Sequence, residues 1–359
     1  MKLSDIANIR LQTQQLATTP FKKPQDIVEW MGAIQAQDYA MAKWGLGIRL
    51  PGITDIEIEA AINSGKIIRT HIMRPTWHLV SAKDIYWMTE LSAPHLISSM
   101  RGRQKELGLT EAIFSKCNKV IGKALEGGKH LTREELMATL KKAKIDINQH
   151  TAIHIMYMAE IYGVVCNGPI KGKKQTYALL EERIPRTKKL TRDEALVKLA
   201  KKYFNSHGPA TIQDFMWWSG LPAKDARSGL EIIKSGFISE TIGSETYWFS
   251  SSIGSKKSTK PSIHLLPAFD EFIISYKDRT AAIQLEHQKK AFTSNGIFRP
   301  VIVFNGLASG LWKRTEKTNK VVIETSFFRP HNKAEKSLLE EAAHSFGDYL
   351  NKKVELKHK

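Results

Sequence analysis

At 359 residues and 40.6 kDa, with 42% hydrophobic content, the chain is long enough for roughly two to four domains with separate cores. Its 54 Lys and Arg against 36 Asp and Glu give a formal net charge of +18, more than solubility requires, and imply a polyanionic partner. Two cysteines, no Cys-x-x-Cys, no His-Glu-x-x-His and no apolar run near the roughly 20 residues of a membrane span argue against a disulfide framework, a standard zinc site and a membrane partner; no metal and no cofactor are expected. The N-terminus lacks the apolar core of a secretory signal, so a cytoplasmic protein is expected.

Helices are predicted from Asp5, Pro24 and Thr54. The Pro24 helix carries Ile27, Val28, Met31 and Ile34 on one face, so Gln35 and Gln37 fall where it should end and can leave the core face. Thr54 with Glu57 forms a capping box, which makes Leu50-Pro51-Gly52-Ile53 a helix approach; a phosphate-binding hairpin would need a second glycine. A polar hairpin follows over 67–80. Period-two alternation puts Arg69 and His71 on one face of its first strand and Thr76 and His78 on one face of its second, with Trp77 and Leu79 pointing the other way.

The same order recurs. Helices are predicted at 111–125, behind the Thr132 and Glu135 capping box, and at 149–161, followed by strands at 164–166 and 176–180. It recurs most clearly at 190–249. There Thr191 and Glu194 cap a helix, Gly208-Pro209 breaks the chain, Thr211 caps a second helix, and Pro222 opens a third that bears Lys224 and Arg227; two strands joined by Gly243-Ser244 follow. Three helices and a two-stranded ribbon describe a winged helix, so three are expected in tandem, over 1–100, 101–188 and 189–258. Basic runs at 101–105, 141–144, 171–174, 183–189 and 256–260 recur along the chain, and the 183–189 linker, with Arg186 and Lys188, suits a phosphate strand.

Beyond a serine- and lysine-rich stretch at 254–262 the pattern turns to strands, at 263–266, 272–276, 301–304, 311–312 and 321–328, with Asn305-Gly306 as a hairpin turn. A last helix over about 333–350 completes a small β-rich domain at 259–359. The fold class is therefore α+β: three tandem winged helices and a β-rich C-terminal domain with a terminal helix.

With Gln35-Ala36-Gln37, the run Arg69-Thr70-His71-Ile72-Met73-Arg74-Pro75-Thr76-Trp77-His78-Leu79-Val80, the segment from Leu265-Leu266-Pro267-Ala268-Phe269-Asp270-Glu271-Phe272 to Arg279, and Gly310-Leu311-Trp312-Lys313-Arg314 in view, the chain resembles the AlkZ/YcaQ-like winged-helix DNA glycosylases nearly end to end. The resemblance implies a scaffold curved around duplex DNA and removal of alkylated bases, including cross-linked ones in some members. The family motif is Gln-x-Gln in the AlkZ-like branch and Gln-x-Asp in the YcaQ-like branch. Gln35 and Gln37 match the former, and Asp38 lies one position too far to stand for the aspartate of the latter. Asp270, Tyr276 and Arg279 match a further family motif, with Asp270 and Arg279 read as a buried structural pair.

The implied chemistry needs no strong base. A purine alkylated at N7 or N3 is already cationic and leaves as a neutral base, while the sugar acquires oxocarbenium character. A neutral amide can orient water and stabilise nearby positive charge, so Gln37 is expected at the water or sugar and Gln35 behind it, though the division could be reversed. Arg69, His71, Arg74, Thr76 and His78 are expected to position the lesion strand, and Arg186, Lys188, Lys224 and Arg227 to contact DNA. His78 reads equally as a structural histidine bonded to backbone. The rival readings are a non-catalytic winged-helix transcriptional regulator, which leaves the glutamine pair and hairpin unexplained, and a repair scaffold. A monomer is expected, nucleoid-associated when bound to DNA, because three repeats already supply multiple contacts.

Overall fold

The computed structural model of the chain describes residues 1–145, 147–251, 260–330 and 332–358. The first segment contains α1 (Leu3–Thr13), α2 (Pro24–Met31), β1 (Ala33–Gln35), α3 (Tyr39–Gly47), α4 (Asp55–Asn63), β2 (Ile67–His71) and β3 (Trp77–Ser81). Pro24 opens α2, whose buried stripe is Ile27, Val28 and Met31. Gly32, at φ +80 and ψ −58, ends the helix and turns the chain into β1. Gln35 therefore lies on a strand, where a helix end was expected. The three strands form one antiparallel sheet in the order β1-β3-β2. Thr54 caps α4 in the expected box with Glu57, and Asp38 caps α3 by accepting the Met41 N–H at 3.1 Å.

Helices α5 (Ile85–Glu106), α6 (Glu111–Leu125), α7 (Arg133–Lys142) and α8 (Gln149–Ile161) follow, with β4 (Leu131–Thr132), β5 (Val165–Asn167), β6 (Thr176–Leu179) and the short α9 (Leu180–Arg183). α5 runs unbroken through residue 100, where a domain boundary was expected. Next come α10 (Arg192–Ser206), α11 (Ile212–Ser219), α12 (Ala223–Ile233) and the antiparallel ribbon of β7 (Phe237–Ile242) and β8 (Glu245–Ser250). The boundary expected at 258 and most of the 256–260 basic run lie outside the described residues.

The C-terminal segment holds β9 (Ile263–Leu266), α13 (Glu271–Ile274), α14 (Leu285–Ala291), β10 (Val301–Phe304), β11 (Leu307–Glu316), β12 (Lys320–Phe327), α15 (Lys333–Leu350) and β13 (Lys353–His358). Its five-stranded sheet runs β13-β12-β11-β10-β9, and only the β12–β13 pair is parallel. Residues 272–276, expected as a strand, instead begin inside α13, because the Asp270 carboxylate caps that turn by accepting the Phe272 N–H at 2.9 Å. The expected final helix is α15, but an edge strand follows it.

The first sheet is buried on both faces, which decides what its polar residues can do. Ala33, Val80 and Ile68 face one core, shared with Trp87, Phe204, Phe215 and Trp218. Ile34 and Leu79 face another, shared with Trp44, Leu265, Trp312 and Phe346. A polar side chain in such a sheet must find an internal partner or lose roughly 1–3 kcal/mol. The fold is a mixed α and β architecture, and no helix among the described residues is long and apolar enough to cross a membrane.

Candidate active site

The two glutamines part company. Gln35 is 5% exposed, and Gln37, past the end of β1, is exposed with no hydrogen-bond partner among the described residues. Gln35 sits opposite His78 in the sheet register, and His78 in turn opposite Thr70, so these three share a face. Arg74, in the turn between β2 and β3, donates from Nη2 to Gln35 Oε1 at 2.9 Å. The carbonyl of Gln35 is thus held, while its amide nitrogen has no partner among the described residues. The backbone N–H of Gln35 donates to Glu271 Oε1 at 2.6 Å.

The faces expected from alternation hold within each strand, and the cross-strand register adds how the two strands' faces match. His71 pairs with Trp77 and Arg69 with Leu79, so Arg69, His71, Trp77 and Leu79 share one face and His78 lies on the other. Counting by twos within each strand cannot fix register between strands. Arg69 is 9% exposed; its guanidinium lies 3.5 Å from the centre of the Trp77 ring, and its Nε and Nη2 donate to the Ala36 carbonyl at 3.2 and 3.0 Å. It does not face outward with the lesion-strand candidates. Burial, opposed chiefly by the charge of Glu160, draws Arg69 down to about 10, so it stays cationic at neutral pH. His71 Nδ1 meets Glu160 Oε2 at 2.6 Å, and that carboxylate also accepts the His71 N–H at 2.9 Å.

His78 is fully buried, and its Nδ1 lies 2.9 Å from the Thr76 carbonyl, a group that only accepts; Nδ1 therefore carries the proton. This is the backbone-bonded arrangement. Its Nε2, Thr76 Oγ1 and Arg74 Nε are buried without partners among the described residues, so three polar atoms of this hairpin remain uncommitted. Burial, reinforced by the charge of Arg74, pulls His78 to about 3.

Behind the glutamines runs a buried polar spine. Glu271, fully buried, accepts from Trp218 Nε1 at 3.1 Å and from the Ser275 hydroxyl, and His207 Nε2 lies 3.7 Å from it. Burial opposes its ionisation, but contact with His207, the charge of Arg74 and the Ser275 bond together hold it below the usual carboxylate range. Asp270 does not pair with Arg279, as had been expected; it forms a two-pronged ion pair with Arg49 at 2.8 and 2.9 Å. Asp270 is committed to α13's cap and faces α3, whereas Arg279 bonds the Ile273 carbonyl and lies among Trp217, Phe292 and Phe298. Tyr276 is buried, accepting from Gln14 Nε2 and donating to the His207 carbonyl, each at 2.8 Å.

Arg186, Lys188, Lys224 and Arg227 are all exposed. Lys224 and Arg227 line an open groove of about 690 Å³ between α12 and the β7–β8 ribbon, with Lys234, Thr246 and Trp248. Residues missed in the sequence are Glu271, Arg49 and Glu160. Glu271 had a signal, as a second carboxylate beside Asp270 in an otherwise apolar run, and so did Glu160, the single acid in the apolar stretch of α8. Arg49 had none, since its partner is 221 residues away.

The chain matches known proteins over most of its length. A family model described as DNA glycosylase AlkZ-like matches residues 28–349. An interstrand DNA cross-link repair glycosylase of Streptomyces sahachiroi is 23% identical over 352 residues, covering 93% of each chain. The solved structure of the Streptomyces sahachiroi DNA glycosylase AlkZ superposes with a TM-score of 0.81 at 19% identity, covering 100% of both chains, a likeness of fold.

Proposed function

The chain belongs to the AlkZ-like DNA glycosylase family, a hydrolase of N-glycosyl bonds in DNA with no place for the regulator reading, and from that premise we propose that it excises cationic N7- and N3-alkylated purines from duplex DNA. Three tandem winged helices over 1–100, 101–188 and 189–258, with α5 shared by the first two, grip the duplex as a monomer, and the 259–359 domain backs the glutamine strand. The protein works in the cytoplasm, nucleoid-associated when bound. The name of the Streptomyces relative extends the substrate class to interstrand cross-links, and an exposed Gln37 suits a bulky adduct better than a closed pocket does.

Gln37 accepts a hydrogen bond from the attacking water and turns its amide dipole toward the oxocarbenium-like sugar. Gln35, its carbonyl held by Arg74, offers its amide N–H groups behind it. The departing purine takes the electrons of the N-glycosidic bond and becomes neutral, so no group need abstract a proton early. Arg74, Thr76 and His78 define the floor beside Gln35, and Arg186, Lys188, Lys224 and Arg227 hold phosphates. The observation that carries this reading is the pairing of one clamped, buried glutamine with one exposed glutamine two residues on.

The test is single-turnover release of free 7-methylguanine from duplex DNA. Gln37→Ala should slow release on the order of 100-fold or more and Gln35→Ala less, with duplex affinity retained. No release by the native chain, or native rates in both variants, defeats the proposal.

A further inference from the structure

We infer that Arg69 and Trp77 are positioning residues that aim Gln37, and that Arg69 makes no contact with DNA. The inference rests on the proposed role of Gln37. Ladder pairing of β1 ends with Gln35 opposite His78, so the sheet register itself does not hold the residues beyond it. Ala36 is held by other means on both of its backbone groups. Its N–H donates to the Trp77 carbonyl at 2.6 Å, and its carbonyl accepts from Nε and Nη2 of Arg69 at 3.2 and 3.0 Å. That carbonyl belongs to the peptide unit whose nitrogen is Gln37, and a peptide unit is planar. Fixing its oxygen fixes the plane from which the Gln37 side chain departs.

The guanidinium that does this is itself immobilised. It stacks 3.5 Å from the centre of the Trp77 ring, lies 5.4 Å from that of Tyr39, and its own backbone N–H donates to Asn167 Oδ1 at 2.8 Å. A planar fork pressed on an aromatic face delivers two N–H groups in a set direction, which a lysine ammonium cannot do. The alternative role for Arg69, a phosphate contact, needs the guanidinium at the surface. At 9% exposure, and with two of its nitrogens already committed to Ala36, it is poorly placed for that role.

The test separates rate from affinity, using the full chain on duplex DNA with a single 7-methylguanine. Arg69→Lys keeps the charge and loses the fork; it should lower the single-turnover rate at saturating enzyme on the order of 10- to 100-fold, while duplex affinity and its salt dependence stay within about twofold of native. Trp77→Phe narrows the stacking face and leaves the backbone bond to Ala36 in place, and should lower the same rate by a smaller factor. Thermal unfolding and circular dichroism identify any variant that fails to fold, and if Arg69→Lys fails, Trp77→Phe decides. Loss of affinity with a shallower salt dependence would mark Arg69 as a phosphate contact and overturn the inference, as would a native rate in the folded variant. Gln37→Ala, run alongside, distinguishes the two levels. A native rate there removes the proposed role of Gln37 itself, whereas a slow Gln37→Ala beside a fast Arg69→Lys removes only the positioning role.

Discussion

His78 shows how far a single residue's chemistry is set by its neighbours. It stands between Gln35 and Thr70 in the sheet, donates from Nδ1 to the Thr76 carbonyl, and has no partner for Nε2 among the described residues. Burial, with the Arg74 charge adding to it, takes it from an ordinary value of 6.5 to about 3. Between those two values the unfolded chain binds a proton that the folded chain refuses. Stability contributed by the neutral ring is therefore complete above about pH 6.5 and is lost on acidification toward pH 3, at up to about 1.4 kcal/mol per pH unit. His78→Asn retains a donor near the Nδ1 position and cannot titrate. Denaturant unfolding between about pH 6 and pH 4 should show the variant losing stability less steeply, by up to one proton. An unchanged slope would mean that His78 takes up its proton in the folded state. The sequence could mark His78 as either site or structure, but not its tautomer, which depends on a carbonyl placed by the turn.

At the scale of elements, what was legible was local. The capping boxes Thr54 with Glu57, Thr132 with Glu135 and Thr191 with Glu194 all form, because both partners lie within one helical turn. The Asn305-Gly306 turn, with φ +48 and +83, likewise forms where it was expected. β1 was missed: three residues have no readable period, and what makes them a strand is β3, some 45 residues on, as the Gln35 to His78 pairing records. β13 was missed for the same reason, since its partner β12 precedes it across α15. The Asp270 to Arg49 pairing, again between distant segments, overrode the nearer choice of Arg279. Gly32 is the hinge on which β1 depends. Its φ +80 and ψ −58 are strained for any other residue, and an added Cβ would lie 3.3 Å from the Trp218 ring and 3.4 Å from Lys202. Gly32→Ala should cost about 1–3 kcal/mol in chemical denaturation and, by displacing β1, slow base release more than it weakens DNA binding. A neutral substitution would show that the α2–β1 junction tolerates another path.

For the whole molecule several buried charges are held in compensated pairs, and the charge surplus lies largely outside them. Arg10 with Asp214 and Arg49 with Asp270 bring cation and anion together under cover, and buried Lys43 meets the half-buried Asp55 and Glu59. The +18 surplus is therefore carried largely by exposed Lys and Arg, including Arg186, Lys188, Lys224 and Arg227. Each phosphate neutralised releases counterions, so the logarithm of duplex affinity should fall with the logarithm of salt by about 0.9 per contact. Several contacts predict a slope of roughly −4 or steeper, and Lys224→Gln or Arg227→Gln should each flatten it by about one. The proposed chemistry predicts the opposite behaviour for rate. Gln35 and Gln37 carry no charge, and Arg74, which holds Gln35, is half-buried beside it, so single-turnover release at saturating enzyme should change little over the same salt range. A flat affinity curve would remove the electrostatic role of the surface. A rate that fell in step with affinity would instead mean that exposed charge enters the transition state, and the uncharged pair would no longer suffice to explain catalysis.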